Sequence, residues 1–343
     1  MAYSNKPFIV PIFIPHAGCP HRCVFCNQSS ITGAHLTLAG EDVRQQIETF
    51  LRFKRKRRHC VQIAFFGGNF LGIRAQTIKR LLTEAAQYIT AGHADSIRFS
   101  TRPDTIDRQR LAALKNFPVS TIEIGAQSMD DEVLVKTNRG HSSTDTEGAV
   151  ELLKEFDYEV GLQLMVGLPG DNAERVFASA RRVARLKPDF VRIYPTVVLA
   201  GSPLAVWYEK GDYVPLSLEA AVTQTQALYL LFKKENIPVI RMGLQATEDL
   251  AEGSTVLAGP YHPAFGHLVY SETFLDMAMS AIKSANPKGE RIGLYVHPRS
   301  VSKMRGLKNG NIKKLRVKFR LQSIEIVPDD SLKEDQLEVN AFG

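Results

Sequence analysis

Cysteine is scarce in this sequence, with four residues in 343. Four cysteines are too few to hold a chain of this length together by disulfides, which excludes a disulfide-rich scaffold. Long apolar runs are also missing: no stretch of about 18 apolar residues occurs, so neither a membrane span nor a membrane partner is expected. The first residues lack the basic segment, apolar run and cleavage site of a signal peptide. We therefore expect a cytoplasmic protein.

Charge is unevenly distributed in an otherwise ordinary globular composition, which is 44% hydrophobic and 23% charged with a net charge of +7. Basic residues concentrate in Phe53–His59 and in Ser302–Arg320, and the second segment contains no acidic residue. A basic run is often only a solvated face. Two such runs in one chain favour a polyanionic partner.

Short apolar runs alternate with helical patterns as far as Pro195. This alternation predicts an α/β fold, because parallel strands need a helical crossover between them. The runs are apolar on both faces, as buried parallel strands are. We expect a partial parallel (β/α)6 TIM-like barrel. Its six predicted strands are Phe8–Ile14, Val61–Phe66, Ser96–Ser100, Ser120–Gly125, Gly161–Gly167 and Phe190–Tyr194.

The pattern changes beyond Pro195, which predicts a barrel core over residues 1–205 and a C-terminal α+β extension over 206–343. Leu216–Glu235 is predicted as one long helix, and the last fifty residues carry period-two runs that predict antiparallel strands. In one run, "KKLRVKFR", basic and apolar side chains alternate. On a strand one face would then carry the basic residues Lys314, Arg316, Lys318 and Arg320.

Polar or glycine-rich motifs follow each of the six predicted strands. The cysteines follow the first strand, and "GGN", "TRPD", "AQS", "LPGD" and "PT" follow the next five. In parallel barrels the functional residues lie at the carboxyl ends of the strands. Six consecutive strand ends with such motifs therefore predict a site at that end of the barrel.

Three cysteines, Cys19, Cys23 and Cys26, lie within eight residues in a C-x3-C-x2-C pattern. Zinc is one interpretation, with His16 or His21 as a fourth ligand. A 4Fe–4S cluster is the interpretation that the spacing favours, because three thiolates leave one iron open for a chelating ligand. From the spacing alone both metals stay open.

The cysteine motif, with Phe25 just before its last cysteine, resembles that of the radical S-adenosylmethionine superfamily. Further along the chain, "GGN", "STRPD", "EIGAQSMDDEVL", "NRGH", "LMVGLPGD" and "YPTVVLAGSPL" resemble segments of the Elongator catalytic subunit. Some of them also resemble the oxygen-independent coproporphyrinogen oxidases. The similarity covers roughly residues 8–205.

This resemblance implies that Cys19, Cys23 and Cys26 hold a 4Fe–4S cluster whose open iron binds the amino and carboxylate groups of S-adenosylmethionine (SAM). An electron from a low-potential donor then cleaves SAM to methionine and a 5′-deoxyadenosyl radical, which abstracts hydrogen from a substrate. In such enzymes the cofactors carry the difficult chemistry, and the protein orients them and excludes water.

The resemblance also implies roles for single residues. Phe25 packs against the cluster, and Gly67 and Gly68 meet the methionine amino group of SAM. Asn69 stands where an acidic residue is frequent in the superfamily. The other contacts with SAM are the ribose contact of Ser100, the carboxylate contact of Arg139, and the polar contacts of Gln127 and Gln163.

Simpler interpretations stand beside some of these roles. Arg139 is alternatively a solvated side chain. Cys60, which precedes a strand, is better interpreted as a small buried hydrophobic residue than as a ligand. The segment Ala258–Glu272, with His262 and His267, is either a substrate-contacting loop or a packed aromatic loop.

The substrate class predicted from the resemblance and the basic segments is RNA, and tRNA in particular. The Elongator catalytic subunit adds an acetyltransferase domain to its barrel, but too little sequence follows residue 290 to hold one, so acetyl-CoA is not expected. Radical chemistry on a small molecule or a tetrapyrrole is the first alternative. A non-catalytic, zinc-stabilised RNA-binding protein is the second.

Overall fold

The computed structural model describes residues 7–14, 17–20, 22–27, 40–53, 60–244, 255–285 and 291–341. Its centre is a seven-stranded, all-parallel sheet in the order β1-β2-β3-β4-β5-β6-β8, with β1 and β8 at the two edges. The strands are β1 (Phe8–Ile14), β2 (Val61–Gly67), β3 (Ser96–Thr101), β4 (Val119–Gln127), β5 (Glu159–Val166), β6 (Phe190–Pro195) and β8 (Val239–Met242). The sheet curls into a half-barrel, and the carboxyl ends of its strands form the mouth. The predicted partial barrel and its six strands are thus confirmed.

Helices cover the outer face of this sheet, as the strand–helix alternation predicts. Several begin at a side-chain cap: the helix over Ala173–Arg185, for example, is capped by Asn172, whose side chain accepts a hydrogen bond from the Arg175 amide. The helices of this layer are α1 (Gly40–Arg52), α2 (Ala75–Thr90), α3 (Arg108–Leu114), α5 (Ser143–Glu155), α6 (Ala173–Arg185) and α8 (Leu218–Lys234). Two short helices, α4 (Asp131–Lys136) and α7 (Pro203–Lys210), instead pack in small apolar clusters that include Phe25.

The main apolar core lies between the outer face of the sheet and these helices. Every second residue of each central strand contributes to it, for example Ile97 and Phe99 on β3 and Ile122 and Ile124 on β4, all fully buried. Successive side chains of a strand point to opposite faces. The residues between them therefore face the concave side of the sheet.

A buried ionic network occupies the concave side. Arg98 of β3 donates through Nε and Nη2 to Glu123 Oε1 on β4, at 3.0 and 2.6 Å, and through Nη1 to Gln62 Oε1 at 3.0 Å. Arg192 of β6 reaches the same carboxylate, with 2.8 Å between Nε and Oε2. One carboxylate thus ties three strands of the sheet together, with each of these charged side chains at most 13% exposed.

The seventh strand of the sheet comes from beyond residue 205. β8 pairs in parallel with β6, where Val191 lies opposite Val239. The sheet therefore extends past the boundary expected near residue 205, and the division into 1–205 and 206–343 stays a prediction. The long helix predicted there is confirmed as α8.

A second unit follows, with its own apolar core and a small mixed sheet. The helix α9 (Phe265–Ala285) packs against three strands in the order β11-β10-β12, where β10 is Arg291–Val296, β11 is Ser323–Pro328 and β12 is Leu337–Ala341. β10 pairs in parallel with β11 and antiparallel with β12. An additional two-stranded pair joins β7 (Val198–Leu199) to β9 (Val256–Ala258).

No helix among the residues described here is both long and apolar enough to cross a membrane.

The predicted basic strand is wrong: residues 310–319 form a helix, α11 (Gly310–Phe319), which follows the short helix α10 (Val301–Arg305). Asn311 and Leu315 are its buried residues, four positions apart, and Phe319 packs on the same core. This spacing matches one face of a helix. Val317, which a strand would bury with Leu315, is 81% exposed. Of the other basic cluster, Phe53–His59, residues 54–59 lie outside the described residues.

Removal of the shared carboxylate should destabilise the sheet. Glu123→Gln leaves two buried guanidinium groups without their counter-charge, so we expect the free energy of unfolding to fall by roughly 3–5 kcal/mol. Chemical denaturation measures this loss. The matched control is Glu132→Gln, which breaks the Arg175 ion pair on a carboxylate that is 79% exposed and should cost less than about 1 kcal/mol. Equal losses of unfolding free energy in the two variants would contradict a stabilising role of the buried network.

Candidate functional site

The cysteine loop follows β1 at the carboxyl edge of the parallel sheet. Cys19 is exposed, Cys23 is buried and Cys26 is half-buried. The Cys26 amide donates to the Cys23 carbonyl at 3.1 Å, which closes a tight turn between these two residues. Neighbouring segments hold the loop at three places.

The first anchor is the "GGN" segment after β2. Gly68 lies so close to the loop that a Cβ atom there would come within 2.3 Å of the Ala17 carbonyl oxygen. Gly67 has φ of 106°, a backbone conformation that favours glycine. The two glycines therefore let β2 pack directly against the start of the cysteine loop, and their predicted contact with SAM stays a prediction.

Asn69 completes this anchor and was missed as a functional residue. It is fully buried, and its Nδ2 donates to the Gly18 carbonyl at 2.9 Å. Its Oδ1 accepts from Thr101 Oγ1 at 2.7 Å and from the Arg102 amide at 3.1 Å. A side chain that donates on one side and accepts on the other is what a carboxamide provides. An asparagine where relatives carry an acid was the signal that could have identified it.

The second anchor is the segment at Thr137, and the third is the segment from Ala200 to Leu204; both bind the later part of the loop. The Val24 amide donates to the Thr137 carbonyl at 3.1 Å, between α4 and α5. The Val24 carbonyl accepts from the Leu204 amide at 2.8 Å, at the start of α7. Asn27 Nδ2 donates to the Ala200 carbonyl at 2.6 Å. The loop is thus positioned by segments that are distant in sequence.

Arg139 lies against the loop and not in solvent, so its interpretation as a solvated side chain is wrong: the residue is only 6% exposed. Its Nη1 is 3.1 Å from Cys23 Sγ, and its Nη2 donates to the Gly125 carbonyl at 2.5 Å. The guanidinium carbon is 6.0 Å from the centre of the Phe25 ring. Nε has no hydrogen-bond partner within the described part of the chain. Arg139 therefore brings positive charge directly to a cysteine sulfur.

A second buried arginine, Arg102 of the "TRPD" motif, also acts on the loop. Its Nε and Nη2 donate to Asp104 at 2.9 and 3.0 Å, whereas its Nη1 finds no partner among the residues that the structure describes. Burial raises the pKa of the Cys19 thiol, as does the nearby Cys23, whereas Arg102 and Arg139 lower it. The net effect is a raised pKa for the Cys19 thiol, which the two guanidinium groups only partly oppose.

His141 of the "NRGH" motif contributes no charge to this environment. Burial, together with Arg139 and Arg102, lowers the pKa of His141 to about 4. An imidazole with a pKa this low has lost its proton and is neutral at pH 7. The positive charge near the cysteines therefore comes from the arginines.

The remaining predicted contacts lie at the carboxyl ends of β3, β4 and β5. Gln163 Nε2 donates to Gln127 Oε1 at 3.0 Å, so the structure brings these two predicted residues together. Gln127 has φ of 68° and follows an irregularity in the β4–β5 pairing. Ser100, on β3 beside β4, is half-buried. Roles of these residues in binding SAM stay predictions.

Cys60 lies away from the loop. Its carbonyl accepts from the Phe8 amide at 2.8 Å, at the amino end of β1, whereas the cysteine loop leaves the carboxyl end. A strand of this length spans about 20 Å. The interpretation of Cys60 as separate from the ligand set is therefore consistent with the fold.

The donor set of this loop, three cysteine thiols, is of the kind that a 4Fe–4S cluster requires. Within the described ranges, no three side chains of His, Cys, Asp or Glu converge on one metal ion. A 4Fe–4S cube needs no such convergence, because each thiolate binds a different iron. His16 and His21, the candidates for a fourth zinc ligand, lie outside the described residues.

Comparison with known proteins agrees with this geometry. The radical SAM superfamily model matches residues 13–183, and the model of the radical SAM C-terminal domain matches residues 188–274. The chain is 27% identical over 234 residues to a tRNA uridine(34) acetyltransferase of Dehalococcoides mccartyi, which covers 57% of this chain and 50% of that protein. It is 28% identical over 253 residues to the protein of the same name from Methanocaldococcus infernus, which covers 62% of this chain and 47% of that protein.

A solved structure shares the fold. The archaeal Elp3 of Methanocaldococcus infernus superposes with a TM-score of 0.62 at 21% identity, covering 78% of this chain and 62% of that one. The chain spans about half the length of the two curated relatives described above. The similarity to them therefore concerns a part of those proteins.

Replacement of Asn69 by aspartate should loosen the cysteine loop. Asn69→Asp removes the donor to the Gly18 carbonyl and buries a carboxylate, so we expect a loss of about 1–3 kcal/mol or more in the free energy of unfolding. Faster proteolysis of the loop should accompany it. Asn172→Asp is the matched control, since aspartate caps a helix as well as asparagine does. Indistinguishable Asn69→Asp and Asn172→Asp proteins would contradict the role assigned to Asn69.

Proposed function

Because the chain belongs to the radical SAM superfamily, we propose that it is an enzyme that binds a 4Fe–4S cluster through Cys19, Cys23 and Cys26 and reductively cleaves SAM. When bound, the cluster supplies the electron that breaks the sulfonium carbon–sulfur bond of SAM and so yields a 5′-deoxyadenosyl radical. The residues of this chain bind and orient the cofactors.

The observation that carries this proposal is the cysteine loop itself. Three thiols are held in place by three anchors, and two buried arginines, Arg102 and Arg139, face them. Buried charges are retained in proteins when they are paired with opposite charge. Arg102 is paired with Asp104, whereas no carboxylate in the described part of the chain pairs with Arg139, so three thiolates of a cluster would supply negative charge beside it.

The proposed SAM site lies beside this loop at the carboxyl ends of the strands. Gly67 and Gly68 bring the backbone after β2 to the loop, and the paired Gln127 and Gln163 place amide groups on the neighbouring strands. Ser100 offers a hydroxyl on β3. These groups suit the amino, ribose and adenine parts of SAM, and Arg139, with its unpartnered Nε, suits the carboxylate.

We also propose that RNA, and tRNA in particular, is the substrate class. The support is the similarity to proteins named tRNA uridine(34) acetyltransferase and the acid-free basic segment near residue 310. Because the chain matches only part of those proteins, acetyl transfer is not part of the proposal. A low-potential electron donor is required by the chemistry.

The substrate proposal is tested by anaerobic incubation of cluster-loaded protein with SAM, dithionite and bulk tRNA, followed by mass spectrometry of the nucleosides. We expect a modified nucleoside that depends on both SAM and reductant. Unchanged tRNA together with active SAM cleavage would contradict the RNA proposal and favour a small molecule or a tetrapyrrole as the substrate.

The ligand set makes a direct prediction. Alanine in place of Cys19, Cys23 or Cys26 should abolish cluster binding, which iron and sulfide content and the visible absorbance spectrum measure. Cys60→Ala is the matched control and should keep the cluster. A Cys23→Ala protein with full iron and sulfide content would eliminate this ligand set, and a colourless zinc-loaded wild type would support the zinc alternative.

Arg139→Ala should weaken SAM binding to the cluster-loaded protein. Loss of a charge-assisted hydrogen bond costs about 1.5–3 kcal/mol, or about tenfold or more in affinity, and calorimetry measures it. Iron content is determined on the same preparation, since Arg139 also contacts Cys23. The control is Arg181→Ala, an arginine that lies over the Phe177 ring on α6. An Arg139→Ala protein that binds SAM with unchanged affinity would contradict the proposed contact between Arg139 and SAM.

A further inference from the structure

Helices α10 and α11 carry a basic ridge on the surface of the C-terminal unit. We define the ridge by its basic side chains: Lys303, Arg305, Lys308, Lys313, Lys314, Arg316, Lys318 and Arg320. We propose that the ridge docks the phosphates of an RNA strand and leads it to the mouth of the half-barrel. This proposal rests on the proposed function for its substrate class, and it assigns the docking surface.

The ridge is a fixed surface because the other face of its helices is packed. Met304 and Leu315 are fully buried in the core that α9 shares with the small mixed sheet. Asn311 is also buried, and its Nδ2 donates to the Ser271 carbonyl of α9 at 2.8 Å. The apolar face is thus held on α9, and all the ridge side chains except the half-buried Lys303 are exposed.

Most of the charge on the ridge is uncompensated. Lys314 lies 3.5 Å from the Glu272 carboxylate. Within the described part of the chain, no carboxylate forms an ion pair with Arg305, Lys308, Lys313, Arg316 or Arg320. Like charges this close repel one another, and a polyanion relieves that repulsion.

An RNA strand suits the ridge better than a membrane surface. An amphipathic helix binds a membrane by inserting its apolar face, but the apolar face of α11 is already buried against α9. Two single apolar side chains stand among the charges, Leu307 at 53% and Val317 at 81% exposure. Isolated apolar groups of this kind can contact ribose and base faces, while the basic groups contact phosphates.

The ridge runs along α9. At one end, Lys303 Nζ lies 5.3 Å from the centre of the Tyr270 ring, and at the other Lys318 Nζ lies 3.1 Å from Met279 Sδ. Nine residues of helix separate these two contacts, or about 14 Å at 1.5 Å per residue. The ridge is therefore long enough to contact more than one phosphate of a nucleic-acid strand.

The Tyr270 end of the ridge points to the mouth of the half-barrel. The segment before α9 packs on residues that follow the carboxyl end of β6: Tyr261 contacts the cluster of Val197 and Leu199. A Cβ on Gly259 would lie 3.1 Å from the Thr196 carbonyl oxygen. RNA on the ridge would therefore continue to the carboxyl ends of the parallel strands, where the cysteine loop lies.

The test compares two triple variants that lose the same charge. The ridge variant is Lys313→Gln/Arg316→Gln/Arg320→Gln, and the control is Arg74→Gln/Lys79→Gln/Arg185→Gln, on the helix layer outside the sheet. Binding of labelled bulk tRNA is measured over a salt series in the absence of SAM. The ridge variant should flatten the slope of log affinity against log salt by about two to three, since each lost phosphate contact removes about 0.7–0.9. The control should keep the wild-type slope.

Each outcome decides the proposal. A flattened slope in the ridge variant alone supports it, with cluster content and uncoupled SAM cleavage unchanged in both variants. Equal slopes in the two variants, failure of the wild type to bind tRNA at low salt, or ridge-dependent binding to phosphatidylglycerol vesicles in place of tRNA would overturn it. Ridge-dependent tRNA binding without any modified nucleoside would leave the docking surface standing and count against the proposed reaction.

Discussion

One carboxamide holds the cysteine loop to the sheet. Asn69 donates to the Gly18 carbonyl, next to Cys19, and accepts from Thr101 and the Arg102 amide at the end of β3. Loops normally lie on the surface with few fixed contacts. This loop is instead fixed through a fully buried side chain, so the positions of the cysteines depend on the ends of β2 and β3.

Positive charge is the second constraint. It occurs in three places: inside the sheet, at the cysteine loop and on the surface of the C-terminal unit. In the concave face, Glu123 neutralises part of the charge of Arg98 and Arg192 and links the strands that carry them. At the cysteine loop, Arg102 and Arg139 keep donor atoms without partners among the described residues. On the outside, Arg305, Lys308, Lys313, Arg316 and Arg320 of the basic ridge form no ion pair with any residue that the structure describes. Positive charge is thus partly neutralised within the sheet, and it is also present where anionic groups are proposed to bind.

The sequence was sufficient for the parallel strands, because short apolar runs with polar motifs at their ends have few other solutions. It failed for residues 310–319, since alternation in "LRVKF" and the four-residue spacing of Leu315 and Phe319 both fit a short segment, and only packing on α9 decides between them. The sequence did not predict the burial of Arg139, and for Asn69 it offered only the signal of an asparagine in place of an acid, without the contacts. Both depend on contacts with segments that are distant in sequence.

The central claim is that this loop supports reductive cleavage of SAM. The most direct measurement is the amount of 5′-deoxyadenosine and methionine formed by anaerobically reconstituted protein with SAM and dithionite. The account predicts both products in equal amounts, dependent on the reductant and absent from the Cys19→Ala, Cys23→Ala and Cys26→Ala proteins. A protein with a full complement of iron and sulfide that binds SAM and forms neither product would contradict it.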